Sequence, residues 1–142
     1  MHRFTTISDS LTVSDQITTT DIEALAAQGV KTILCNRPDH EEAGQPENTA
    51  LKAAANALGI NFIVQPVSFS TLQPRDGLVF GQHLENTNGK IHAFCRTGRR
   101  CVALWTLANA KALGTHAVLE KAAGFGEDLR GLAPMLSELE SQ

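Results

Sequence analysis

Between Cys95 and Cys101 the chain reads Cys-Arg-Thr-Gly-Arg-Arg-Cys, which brings a sulfur nucleophile, three guanidinium groups and a glycine into one short stretch. A thiolate can attack phosphorus or sulfur and hold the transferred group covalently. Guanidinium forks and backbone N–H groups bind oxyanions and stabilise charge as it develops. Gly98 admits a backbone angle that other residues avoid. Lowering of a cysteine pKa by positive charge and by a helix N-terminus places Cys95 at roughly 4–7. The alternative reading is a small buried hydrophobe beside a solvated basic turn. A glycine-containing turn with three arginines, set between a strand and a helix, favours the catalytic reading.

The elements that must hold this turn are legible around it. Lys90 to Phe94 is a short apolar strand, and Cys101 to Leu113 has the pattern of a buried helix. A cysteine after a parallel strand faces the sheet edge where α/β folds bind ligands. Upstream, Phe4–Ile7 and Leu11–Ser14 read as an edge hairpin. Thr20 and Glu23 form a capping-box pattern for a first helix, with Val30–Cys35 as the buried strand after it. The polar stretch Asn36–Gln45 leaves that strand at the same edge, and His40, Glu41 and Glu42 read as a solvated turn. Pro46 opens a second helix with Leu51, Ala54, Ala55 and Leu58 inward, and Ile60–Val64 is the next strand. Helix three runs from about Asp76 to Glu85. Thr115 caps another helix, and Pro134 breaks a last amphipathic one. Alternating helices and apolar strands predict an α/β fold.

The 142 residues are 42% hydrophobic and 19% charged, with a net charge of -3. That length suits one domain over residues 1–142. The charge gives no reason to expect nucleic acid as a partner, and no run is apolar enough to span a membrane. Met1 to Thr6 has no apolar signal core, and the three cysteines form no C-x-x-C pair. A reducing, cytoplasmic setting follows. No histidines pair at ligand spacing, so neither metal nor cofactor is expected.

The cysteine turn resembles the signature loops of cysteine-based phosphatases and of rhodanese sulfurtransferases. With Leu11–Ser14, Gly29–Ile33, Cys35-Asn36-Arg37-Pro38-Asp39 and Gln65-Pro66-Val67, the chain resembles the phosphatase-like domain of the beta-lactamase-hydrolase-like protein family, a bacterial group related to dual-specificity phosphatases. The resemblance implies a three-layer fold with a mainly parallel sheet of four to five strands and helices on both faces. It implies Cys95 as nucleophile and Arg100 as oxyanion clamp, with Arg96, Thr97, Gly98, Arg99 and Cys101 completing the anion loop. Asn36 and Arg37 fall at the substrate edge. Phosphate, sulfate or another small oxyanion is the expected ligand, and a small molecule or phosphoprotein the expected substrate.

Three departures keep other readings open. Phosphatase loops have five residues between cysteine and arginine; here there are four, as in rhodaneses, which carry a persulfide. Phe94 stands where phosphatases have a histidine. The loop Ser68–Thr71 lacks the usual general-acid aspartate, leaving Asp39 and Asp76 as candidates, Asp76 also reading as a helix cap. Some relatives carry metallo-β-lactamase-like domains that act on sulfur compounds, in keeping with sulfur transfer. A non-enzymatic anion-binding or redox-sensing module is the third reading. In it, Cys101 or Cys35 would partner an oxidised Cys95. Cys101 begins a helix beside an arginine, so its own pKa is also expected to fall.

Overall fold

The computed structural model describes residues 3–142; Met1 and His2, which belong to the stretch read for a leader and for histidine pairs, lie outside the described residues. The strands are β1 (Phe4–Thr6), β2 (Leu11–Ser14), β3 (Val30–Cys35), β4 (Asn61–Val64) and β5 (Lys90–Phe94). The helices are α1 (Thr19–Ala27), α2 (Asn48–Ala57), α3 (Pro74–Glu85), α4 (Arg99–Leu113), α5 (Thr115–Gly124) and α6 (Ala133–Glu140), with a 3-10 turn at Arg130–Leu132. The sheet order is β1-β2-β5-β3-β4; β1 is antiparallel and the other pairings are parallel.

Period-two alternation divides the core between the two faces of this sheet. Ile91, Ala93 and Leu34 face a cluster that includes Leu104, Leu107, Val118 and Leu136. Ile33, Cys35 and Phe94 face Ile22, Leu25, Leu51 and Ala55 from α1 and α2. Helices therefore cover both faces, as expected. In register, Ser14 and Cys35 lie opposite Phe94, and Val64 lies opposite Cys35. The segments after all four parallel strands thus leave at one edge.

Local boundaries differ from the sequence reading at the starts of four helices. Thr18, not Thr20, caps α1, and Asp21 accepts from the Thr18 backbone. Asp21 is fixed there by Arg3, 18 residues away in sequence. α2 starts at Asn48 rather than at Pro46, because Asp39 Oδ1 accepts from Asn48 N at 2.8 Å. α3 starts at Pro74, with Gln73 and Asp76 forming its capping box. Gly114 rather than Thr115 caps α5, and Glu140 accepts from Thr115 N. Leu58, read as an inward residue of α2, is 48% exposed. Pro134 sits in the first turn of α6, just after the 3-10 turn, at the predicted break.

Candidate active site

β5 delivers Cys95 to the carboxyl edge, and Ser14 O accepts from Cys95 N at 3.4 Å. Gly98 adopts φ +93 and caps α4, which begins at Arg99. A β-carbon at Gly98 would lie in ordinary contact, 3.4 Å from Ser14 O and Val13 Cγ1, so the backbone angle is what favours glycine. The turn folds over the sulfur: Cys95 is fully buried and Gly98 N donates to its Sγ at 3.1 Å.

The Cys101 thiol does most to lower the Cys95 pKa. Burial opposes it, while backbone N–H groups of Cys101, Thr97 and Arg100 add to it, and the result is about 5. Cys95 therefore stands as a thiolate at neutral pH. The expectation for Cys101 itself needs correcting. Burial and the neighbouring Cys95 push its pKa well above the usual thiol value, so it keeps its proton and donates. Position 101 is fully buried in the first turn of α4, and there the cost of desolvating a second thiolate outweighs the nearby arginine.

The three arginines of the turn go to different places. Arg100 donates through Nη1 to Glu41 Oε2 at 2.7 Å and to Val67 O at 3.0 Å, and through Nη2 to Glu41 Oε1 at 2.8 Å. Glu41 does most to raise the pKa of Arg100, against burial, and Cys95 adds to the rise. Arg96 is exposed at the mouth, 3.4 Å from Glu42. Arg99 points away, to Glu127 Oε2 at 3.1 Å and Asp128 O at 2.9 Å, with its guanidinium 5.3 Å from the Phe69 ring. Thr97 is exposed, and its hydroxyl accepts from Arg99 N at 3.4 Å.

Neither residue assigned to the substrate edge is presented to solvent. Asn36 is buried, with Nδ2 donating to Gln65 O at 3.0 Å. Arg37 is 1% exposed and donates to Glu41, Gln16 and Glu42 at 2.8, 2.8 and 2.9 Å. Both candidate acids serve as caps: Asp39 accepts from the first N–H of α2, and Asp76 accepts from Gln73 N at 2.8 Å. Cys35 packs with the α1–α2 side of the core. Its thiol donates to Arg37 O and Asn48 Oδ1, and burial lifts its pKa to about 12.

The carboxylate that does reach the site is Glu41, which the sequence reading left in solvent. Arg100 and Arg37 hold its pKa down to about 2 against partial burial. No local spacing announces this pair, since Glu41 and Arg100 are joined only by the parallel alignment of β3 and β5. The available signal was two adjacent carboxylates and an arginine just after a buried strand, on the edge shared with a three-arginine turn.

A thiolate under a helix-capping turn, at the carboxyl edge of this sheet order, defines a protein of the cysteine-phosphatase-like α/β class. The chain belongs to the family described as beta-lactamase hydrolase-like protein, phosphatase-like domain, whose model matches residues 3–112. It is 39% identical to a beta-lactamase hydrolase-like protein of Agrobacterium fabrum over 73% of this chain and 24% of that one. The chain spans about a quarter of the length of the curated relatives it matches. It is also similar to a solved candidate phosphatase of Neisseria meningitidis, with a TM-score of 0.83 and 32% identity over 98% of this chain and 99% of that one. The fold is shared with TpbA of P. aeruginosa, solved with phosphotyrosine, at a TM-score of 0.73 and 16% identity over 98% and 88% of the two chains. Among the described residues no helix is long and apolar enough to cross a membrane.

Proposed function

We infer that residues 1–142 act as one phosphatase-like hydrolase of phosphate monoesters, working in a reducing compartment. Cys95 attacks phosphorus, the ester P–O bond breaks and the leaving oxygen takes a proton from water. Water then cleaves the resulting thiophosphate, returning the thiolate and releasing phosphate. Arg100 and the turn's N–H groups hold the oxyanion, and Arg96 supplies charge at the mouth. The observation that carries this reading is an enclosed sulfur whose pKa is lowered to about 5 by donors from the turn and from Cys101. Family membership supports the reading, and the phosphotyrosine complex of TpbA makes an aryl phosphate the natural first probe.

A second reading, sulfur transfer through a Cys95 persulfide, is favoured by the four-residue spacing to Arg100 and by the capping roles of Asp39 and Asp76. Sulfur transfer to cyanide or a thiol needs no leaving-group acid, whereas unactivated phosphate esters without one would lag by about 10²–10⁴-fold. Turnover of p-nitrophenyl phosphate and of thiosulfate with cyanide separates the two, with Cys95→Ser as control. The expected result is phosphate release that Cys95→Ser abolishes. Cyanide-dependent thiocyanate formation without phosphate release would establish the second reading. Anion binding without either turnover would leave a sensing module.

A further inference from the structure

The segment between β3 and α2 is built more firmly than a solvated turn requires. Its root is Arg37, fully buried, with Gln16 Oε1 accepting from Nη1 at 2.8 Å. The Arg37 carbonyl accepts from the Cys35 thiol and from Asn48 Nδ2. Gln45 braces the turn from inside: its Oε1 accepts from Glu41 N at 3.0 Å and its Nε2 donates to Pro38 O at 2.9 Å. His40, immediately before Glu41, has φ +65 and is the one non-glycine residue at positive φ among the described residues. Such a conformation is sparsely populated outside glycine and persists where the surroundings over-determine it.

All of this aims one carboxylate. Glu41 takes both terminal nitrogens of Arg100 end-on, while Arg37 Nε donates to its Oε1 at 2.8 Å and fixes it from behind. Val67 O takes a further hydrogen of Nη1. Two bonds to one carboxylate and one to a carbonyl leave the guanidinium little freedom to rotate, while Nε and the second hydrogen of Nη2 stay uncommitted to these partners.

The geometry points to Glu41 as the positioning residue for Arg100, set by the buried Arg37, so that the oxyanion meets a guanidinium already oriented. This rests on the anion-binding reading of Cys95 and Arg100. It also opposes the simplest electrostatic expectation. A carboxylate beside an anion site competes with the ligand, so its removal would tighten anion binding. A carboxylate that orients the clamp does the reverse, because Arg100 must then be ordered at the moment of binding.

The test is protection of Cys95 against iodoacetamide by inorganic phosphate, in wild type, Glu41→Gln and Glu42→Gln. Glu42 pairs with Arg37 and Arg96 but makes no bond to Arg100, so its substitution removes the same charge from the same segment. Glu41→Gln is expected to weaken phosphate protection about tenfold, the scale of one charge-assisted hydrogen bond, while Glu42→Gln tightens it. Thermal melting of each variant reports folding. If Glu41→Gln melts early, Glu41→Asp, which keeps the charge but is too short for both partners, is expected to show the same loss of protection. Wild type protected, with Glu41→Gln protected as well or better, overturns the role of Glu41 alone. Wild type unprotected by phosphate overturns the anion site and this role with it.

Discussion

A thiol is a weak donor in water, but at Cys101 burial makes it a dependable one. Desolvation keeps the proton on Cys101, and the neighbouring Cys95 is left as the ionised partner. Of the arginines in the turn, Arg96 is exposed and Arg99 is drawn off to Glu127, so neither reaches the sulfur. A hydrogen bond to a charged group contributes about 1.5–3 kcal/mol, equivalent to about 1–2 pH units. Cys101→Ala is therefore expected to raise the pH midpoint of Cys95 alkylation by that amount. Cys101→Ser, which restores a donor, should bring it back near wild type. An unchanged midpoint in Cys101→Ala would mean that the turn's N–H groups and Arg100 hold the thiolate unaided.

The turn is only as rigid as the helix it opens, and α4 is wedged between its neighbours. Gly77 in α3 is where the backbones of α3 and α4 approach: a β-carbon there would lie 2.3 Å from Leu107 Cβ and 2.9 Å from Leu107 C. In an exposed helix Gly→Ala stabilises by about 1 kcal/mol. Here overpacking, at about 1–3 kcal/mol, opposes that gain and wins because backbone atoms as well as a side chain must move. Gly77→Ala should lower the urea midpoint with an unchanged slope. A raised midpoint would show that α3 can withdraw at little cost, and that α4 is not clamped at this point. On its other side α4 packs on α5 and α6 through Val118, Leu136 and Leu139. Beyond them, the segment that leads into α6 holds Arg99.

Stability of the whole molecule should depend on pH through a histidine with no direct part in the chemistry. His92 is buried in β5, with Nδ1 2.7 Å from Thr12 Oγ1 and Nε2 2.7 Å from Ser14 Oγ. Ser14 Oγ donates its own hydrogen to Asp15 O, so Nε2 carries the proton and Nδ1 accepts from Thr12. Burial pulls the pKa from 6.5 down to about 4. The folded state thus disfavours the charged form. The stabilisation is complete above pH 6.5 and falls away as the pH drops from there to about 4, by on the order of 3 kcal/mol. Other groups titrate in this window, so the measurement is the difference between wild type and His92→Gln in urea midpoints at pH 7, 5 and 4. That difference should shrink as the pH falls; a constant difference would place the pKa of His92 near its ordinary value.

The chain order of helices and apolar strands, the turn at Cys95–Cys101 and the need for glycine at 98 were all legible in the sequence. They rest on local physics: side-chain periodicity, capping, and a backbone angle at one residue. Which carboxylate meets Arg100 was not. Asp39 and Asp76 read as candidate acids, and in the fold each accepts from a backbone N–H at the start of a helix, Asn48 N and Gln73 N. Glu41 looked like solvent because its partner is brought to it only when β3 and β5 pair in parallel and their carboxyl ends align. The protonation of Cys101 was likewise decided by the tertiary structure. A helix-start cysteine beside an arginine favours ionisation locally, but desolvation depends on everything packed around it, and that exists only once the core has closed.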